Sequence, residues 1–336
     1  MVRSQDKPFY KQSIQGTTMD FTIREMEPDR DMDYFIATEF EVAKENGFIN
    51  LEKPEEEAFE EHKKELLEMI TKKVAGVFFA EYNNRYAGLA WVSSRSGGEA
   101  WDFEEMPAWV YDVRVFPQFR GQKLGKKLLS QAEEWAKNNG FVRIGLHVFA
   151  FNTVAINLYT TAGYTMKNCY LQKDIAGATD VVQPSTIREK TPEDDKNFLA
   201  LCYENFRKTA QYGNKVAEEV IRKKYDTFMT RSLYDKLNHA VFIAEDKNQF
   251  RGFVWVYVSK GDLGKKRYVW MQDLGIVPEF QGKGVGKQLL AHVEKWTVSR
   301  GLDTVRTGMH ARDHRLALLR SCGWKETNLF MEKVIE

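Results

Sequence analysis

Glu279-Phe-Gln-Gly-Lys-Gly-Val-Gly286-Lys-Gln-Leu-Leu290 lies between a strand-like stretch that ends at Pro278 and an amphipathic stretch that runs on past Leu290. Glycines at 282, 284 and 286 let the main chain turn tightly and aim successive N–H groups at one point, at the start of a helix. Such a loop suits an anion, above all a pyrophosphate. It is not a Walker A loop, because no Gly-Lys-Ser/Thr follows at the required spacing. Nor is it a dinucleotide fingerprint, because the GxGxxG spacing is missing and several strands precede it. Three glycines alone suit a structural turn equally well, so the rest of the chain decides.

Working outward, the loop belongs to the second of two copies of one pattern. Phe21-Thr-Ile-Arg-Glu25 with Pro28 returns 164 positions later as Ser185-Thr-Ile-Arg-Glu189 with Pro192. Val77-Phe-Phe-Ala-Glu81, Gly88 and Trp91 return as Val241-Phe-Ile-Ala-Glu245, Gly252 and Trp255. Asp112-Val-Arg-Val-Phe-Pro117 returns as Asp273-Leu-Gly-Ile-Val-Pro278 at an offset of 161, and Ala162-Gly163-Tyr164 as Cys322-Gly323-Trp324 at 160. Ordered matches with drifting offsets mean a duplicated domain with small loop insertions, since solenoid repeats run at only about 20–50 residues. We expect a tail over 1–19, domains over 20–174 and 185–336, and a linker over 175–184. Each copy reads β-α-α-β-β-β-α-β-α-β, a mixed α/β unit. Asn83-Asn84 and Asp246-Lys-Asn mark hairpin turns, Gly140 and Gly301 end helices, and 164–173 or 324–334 form the closing strand.

At 336 residues the chain has the length of two domains, with 43% hydrophobic and 29% charged residues. No apolar run approaches the ~20 residues of a membrane span, and the polar start of the chain argues against a secretory signal. Cys169, Cys202 and Cys322 are odd in number and widely spaced, against both a disulfide framework and a zinc site. A formal charge of +1 creates no field for nucleic acid; Lys63-Lys64, Lys72-Lys73 and Lys265-Lys266-Arg267 read as solvated surface. We therefore expect a cytoplasmic protein, monomer or homodimer, without membrane, metal or nucleic-acid partners.

The loop resembles the acyl-CoA loop of the GCN5-related N-acetyltransferase (GNAT) family, patterned Gln/Arg-x-x-Gly-x-Gly/Ala between a strand and a helix. In the first copy the same place holds Gln118-Phe-Arg-Gly-Gln-Lys-Leu-Gly125-Lys-Lys-Leu-Leu129, with Lys123 where the family prefers a small residue. Lysine there is tolerable at negative φ and damaging at positive φ. The resemblance covers roughly 21–173 and 185–334. It implies two tandem acyl-CoA N-acyltransferase domains, each with a mixed, mostly antiparallel sheet flanked by helices. It further implies acetyl-CoA as cosubstrate, held by Gln118, Arg120, Gly121, Gln122, Lys123, Gly125 and Lys126, and by Gln281, Gly282, Lys283, Gly284, Gly286 and Lys287. Two strands are expected to splay beside the loop, with the pantetheine arm bonded to the main chain at Val113 and Val115, or at Leu274 and Ile276.

Acyl transfer to an amine needs a neutral nucleophile, a stabilised oxyanion and a proton for the leaving thiolate. In the family that proton comes from a tyrosine on the last short helix, and an asparagine at the helix start touches the cofactor. Asn152-Thr-Val-Ala-Ile-Asn-Leu-Tyr159-Thr-Thr-Ala-Gly-Tyr164 matches this pattern, so the resemblance implies Asn152 at the cofactor and Tyr159 as general acid. His147 stands where some relatives carry a base, and an ordinary pKa of ~6.5 suits proton acceptance at neutral pH. Tyr111 and Asp112 are further acceptor-side candidates. In the second copy Arg312 replaces Asn152 and Leu319 replaces Tyr159. Two readings stay open: the first domain alone is the enzyme, or the second uses another donor, with Cys322, His310 and His314 as candidates. The acceptor, an amine on a small molecule or a protein, is selected by loops around Glu39–Phe48, Ser93–Pro107 and Tyr203–Tyr212; the segment Glu99–Glu105 is acidic and aromatic. The competing function is a non-catalytic CoA-binding or scaffold protein.

Overall fold

The computed structural model describes residues 19–49, 53–72, 74–94, 107–175, 186–212, 216–233, 239–259 and 267–335. Nearly all of the expected tail and linker, the segment 99–105, and Lys265 and Lys266 lie outside the described residues. In the first half β1 (Thr22–Glu25) leads to α1 (Pro28–Glu45) and α2 (Glu55–Lys72), then to β2 (Ala75–Tyr82), β3 (Arg85–Ser94) and β4 (Ala108–Val115). After the glycine loop come α3 (Leu124–Asn138), β5 (Arg143–Phe149), α4 (Thr153–Thr161) and β6 (Thr165–Asp174). The second half repeats this with β7 (Thr186–Glu189), α5 (Asp195–Ala210), α6 (Glu218–Leu233), β8 (His239–Asp246), β9 (Gln249–Val258) and β10 (Val269–Ile276). It ends with α7 (Val285–Ser299), β11 (Thr304–His310), α8 (Arg315–Ser321) and β12 (Lys325–Val334).

Local chemistry accounts for the hairpins. Asn83 and Asn84 take φ of 49° and 60°, and Lys247 and Asn248 take 49° and 62°, the paired left-handed conformation of a two-residue turn whose twist matches its strands. Apolar residues at helical spacing bury α3, α4, α7 and α8 against one sheet face, in a core running through both halves. The other face carries two separate clusters, under α1 and α2 and under α5 and α6.

Each half was expected to close on its own last strand, and the structure corrects this. All strands form one sheet in the order β1-β2-β3-β4-β5-β12-β6-β11-β10-β9-β8-β7. The last strands are exchanged: β12 pairs with β5 of the first half, and β6 with β11 of the second, both antiparallel. Matching ion pairs secure both strands. Lys333 on β12 reaches Glu133 on α3 at 2.8 Å, and its repeat counterpart Lys173 on β6 reaches Glu294 on α7 at 2.5 Å. Glu332 is buried and bridges to Arg143 on β5 at 2.8 Å, which ties β12 to the first half. A chain cut between residues 180 and 181 should therefore give two fragments that stay associated when co-expressed, since each lends its last strand to the other's half of the sheet and separation would expose unpaired sheet edges. Circular dichroism and gel filtration of the separate and co-expressed fragments would check this.

Candidate active site

The parallel strands β4 and β5 pair only at Ala108–Val110 against Ile144–Leu146, although β4 continues to Val115 and β5 to Phe149. A bulge where β4 meets Trp91 and Val92 turns the strand at this point, and the two strands part. The second half repeats the geometry: β10 meets β11 only at Val269 and Trp270. Each splay leaves main-chain groups without a strand partner beside a glycine loop.

Both loops end at an uncapped helix. α3 starts after Lys123 and α7 after Gly284; neither receives a side-chain cap and neither has an acidic residue in its first turn, so the first-turn N–H groups and the positive end of the helix remain available to an anion. Gly284 has φ +86° and Lys123 has φ +58°. The negative φ on which tolerance of Lys123 rested is therefore not observed. Lysine accepts the left-handed conformation at a strain of about 1–2 kcal/mol, and the loop keeps the shape of its glycine-bearing counterpart. Arg120 and Gln281 have a role the sequence did not reveal: their side chains donate to the carbonyls of Val115 (3.2 Å) and Ile276 (3.1 Å), tying each loop to its strand.

In the first half the splay, the loop and α4 enclose one groove of ≈ 940 Å³. Asp112, Val113, Val115, Arg120, Gly121, Lys123, Gly125, Lys126, Asn152 and Tyr159 all line it, whereas Gln118 and Gln122 are not among its lining residues. Asn152 caps α4, its Oδ1 accepting from the Ala155 N–H at 3.1 Å. Tyr159 is buried; burial, and then the charge of Asp112, raise its hydroxyl above the ordinary tyrosine value and keep it protonated. His147 is exposed on the opposite sheet face, its ring edge-on to Trp109 at 4.8 Å and near Tyr170 and Phe330, and it is not among the groove's lining residues.

A residue not singled out as catalytic, Glu39 on α1, comes to Asp112 instead. Glu39 is 7% exposed, and its Oε1 is buried without a hydrogen-bond partner. Burial and then the Asp112 charge raise its carboxyl well above the ordinary value, while Arg114 draws the negative charge toward Asp112, with its Nε at 3.1 Å from Oδ2. Folded Glu39 thus holds a proton that the unfolded chain releases near 4.5. Its contribution to stability is complete below that value and lost as pH rises through the raised folded value. Glu39→Gln, which keeps the protonated shape and cannot ionise, should flatten the fall of Tm as pH rises above about 4.5, by roughly 2–4 °C per kcal/mol. Thermal melts across that range would check it.

The second half departs from this at its splay. β6 and β12 run at an offset of 160, which puts Arg315 where the first half has Ala155. The Arg315 guanidinium reaches the freed strand: Nη1 donates to the Leu274 carbonyl at 2.8 Å and to Asp273 at 2.6 Å, and Nη2 to Asp313 at 2.7 Å. Asn205 adds contacts to Asp273 at 3.1 Å, and the Leu274 N–H donates to Asp273 at 2.8 Å. Burial opposes the charge on Arg315, but Asp273 and Asp313 outweigh it and hold the guanidinium charged. The main chain of Leu274, expected to receive a pantetheine arm, is thus already bonded within the protein. A smaller groove of ≈ 450 Å³ remains beside it, lined by Leu274, Ile276, Gln281, Gly282, Gly284, Gly286, Lys287, His314 and Arg315 but not by Lys283. Leu319 takes the place of Tyr159 and is fully buried. Of the other donor candidates, His310 stacks on Tyr212 away from this groove, and Cys322 is half-buried beside Ser321.

Among the described residues no helix is long and apolar enough to cross a membrane. The profile of the acetyltransferase (GNAT) family matches residues 41–164 and again 205–324. The chain is 37% identical over 68 residues to YdgE of Bacillus subtilis (strain 168), described as an uncharacterized N-acetyltransferase, a stretch that is 20% of this chain and 43% of that protein. It is 38% identical over 55 residues to thialysine N-epsilon-acetyltransferase of Mus musculus, covering 16% of this chain and 32% of the relative. The matches thus span less than half of each of these relatives. A GCN5-related N-acetyltransferase from Sphaerobacter thermophilus shares the fold, with a TM-score of 0.52 at 18% identity over 94% of this chain and 96% of that one. With both halves matched across most of their length, the chain belongs to the acetyltransferase (GNAT) family.

Proposed function

We propose that the first half transfers an acetyl group from acetyl-CoA to a primary amine and that the second half does no acyl chemistry. The observation that carries this is the convergence, in one groove, of an uncapped helix start, a splayed strand pair and the buried hydroxyl of Tyr159. These residues fit the cosubstrate: the α3 first turn and Lys126 suit its phosphates, and the Val113–Val115 main chain suits its arm. Bound there, acetyl-CoA supplies the acyl group as an activated thioester. Tyr159, kept neutral by burial, holds the proton that the departing thiolate needs. Asp112, which burial raises above the ordinary carboxylate value while Arg114 and Glu39 draw it back down, receives the proton the amine gives up. A non-catalytic role is favoured for the second half alone, where Arg315 occupies the splay and leucine stands in place of the acid. The name of the mouse relative supports an aliphatic primary amine as the acceptor class.

The test is incubation with acetyl-CoA and a panel of primary amines, with free thiol and acetylated product followed together. Stoichiometric appearance of both supports the reading. Cofactor binding without turnover on any amine or lysine-bearing protein would leave the scaffold reading in its place.

A further inference from the structure

On the α5–α6 face of the second half lies a small hollow of ≈ 80 Å³, separated from the second groove by Asn205 and Arg315, which line both. Its walls are aromatic: Phe206 of α5, Phe228 of α6, Trp270 of β10, and Tyr170 of the exchanged strand β6. One lining residue differs sharply from its counterpart in the first half. The pairs Ala108–Ile144 and Val269–Val305 lie 161 positions apart, which puts Gly308 where the first half has His147. There the His147 ring lies edge-on to Trp109 and Phe330, 4.8 and 5.9 Å away, while those two rings pack on each other at 5.4 Å. In the second half the counterparts Trp270 and Tyr170 stand with ring centroids 6.4 Å apart. A Cβ on Gly308 would lie 3.1 Å from the Tyr170 ring and 3.5 Å from Trp270.

The hollow is also lined by two carboxylates, Asp273 and Asp313, against one guanidinium, Arg315. His310 beside them adds no charge, because burial, then Lys167 and Arg312, lower its pKa. Those two cations are engaged elsewhere, Lys167 with Glu332 at 3.4 Å and Arg312 with the Tyr212 carbonyl at 3.1 Å. Aromatic walls combined with a surplus carboxylate favour a small organic cation. Tyr170 also touches the first half, its ring lying 5.4 Å from His147.

We propose that this hollow binds a small organic ammonium ion, and that Tyr170 relays its occupancy to His147. The binding stands independently of the acyl-transfer reading; its regulatory meaning rests on that reading. Tetramethylammonium, which has no N–H to acylate, is the probe, titrated into the intact protein by calorimetry with the histidine resonances followed by NMR. We expect one saturable site, at least about tenfold weaker for the neutral isostere tert-butyl alcohol, and a shift of the His147 signal that disappears in Tyr170→Leu. Gly308→His, which restores the first half's residue, should weaken binding at least about tenfold while acetyl-CoA uptake is retained. Should that variant not fold, Trp270→Leu removes a wall and serves in its place. Absence of saturable binding, equal uptake of tert-butyl alcohol, or unchanged affinity in Gly308→His or Trp270→Leu overturns the site; a stationary His147 signal at saturation overturns the relay. Failure to acetylate any amine would remove the proposed reaction and leave the binding result standing.

Discussion

Titrated with acetyl-CoA, the intact chain should bind one equivalent, and the loop with the poorer glycine pattern should be the one that binds it. Gly121→Asp should weaken uptake roughly 100-fold or more, because a carboxylate placed against the phosphates adds repulsion to about 1–2 kcal/mol of left-handed strain at φ +80°. Gly284→Asp, in the more regular loop, should leave the stoichiometry unaltered. The reason lies in the splay rather than in the loop: Arg315 donates to the Leu274 carbonyl at 2.8 Å and closes the route an extended arm would need. Arg315→Ala would leave Asp273 and Asp313 buried without their partner, a change that costs about 3–5 kcal/mol in comparable ion pairs. Its melting temperature should fall accordingly. Two equivalents in the wild-type chain would mean that Arg315 swings aside and that both halves hold cofactor.

Tyr159→Phe should lower kcat by roughly 10²–10⁴-fold, the usual weight of a positioned proton donor, with acetyl-CoA affinity nearly unchanged. Phenylalanine keeps the ring that α4 packs into the core and removes only the hydroxyl, so folding and cofactor binding are spared. Calorimetry for affinity and thiol release for turnover separate the two effects. Unchanged turnover would take Tyr159 out of the mechanism. The companion variant Asp112→Asn should reduce turnover by removing the group assigned to the amine's proton.

The duplication, the order of elements and the loops were legible in the sequence because each rests on local signals: a two-residue turn at Asn83-Asn84, glycine at helix ends, and strands read from apolar runs. The place of Tyr159 beside the groove was legible as well, through the motif around it. Other features depended on contacts between distant segments. Glu39 looks like one more polar residue on α1, and only folding carries its carboxyl to Asp112. His147 had the right chemistry for a base, yet the alternation of β5 turns its ring to the face away from α4, onto Trp109. Arg315 was visible as the counterpart of Ala155 once the halves are aligned, but its meaning lay in the reach of a long guanidinium side chain to the strand opposite.

The sequence by itself determined that this chain carries two copies of one α/β unit with a glycine-bearing loop before a helix in each, because helix caps, turns and strand alternation are written in neighbouring residues. Which copy offers an open slot, and which last strand completes which half, was decided only by the tertiary structure. β6 and β12 are repeats of each other, with Lys173 matching Lys333, so either strand suits either place by its own pattern. The assignment follows from pairing across the whole sheet, where β12 meets Arg143 of β5 through Glu332 and β6 lies against β11. The slot was decided in the same way, by a single half-buried arginine whose partners Asp273 and Asp313 come from a strand and a loop that fold up against it.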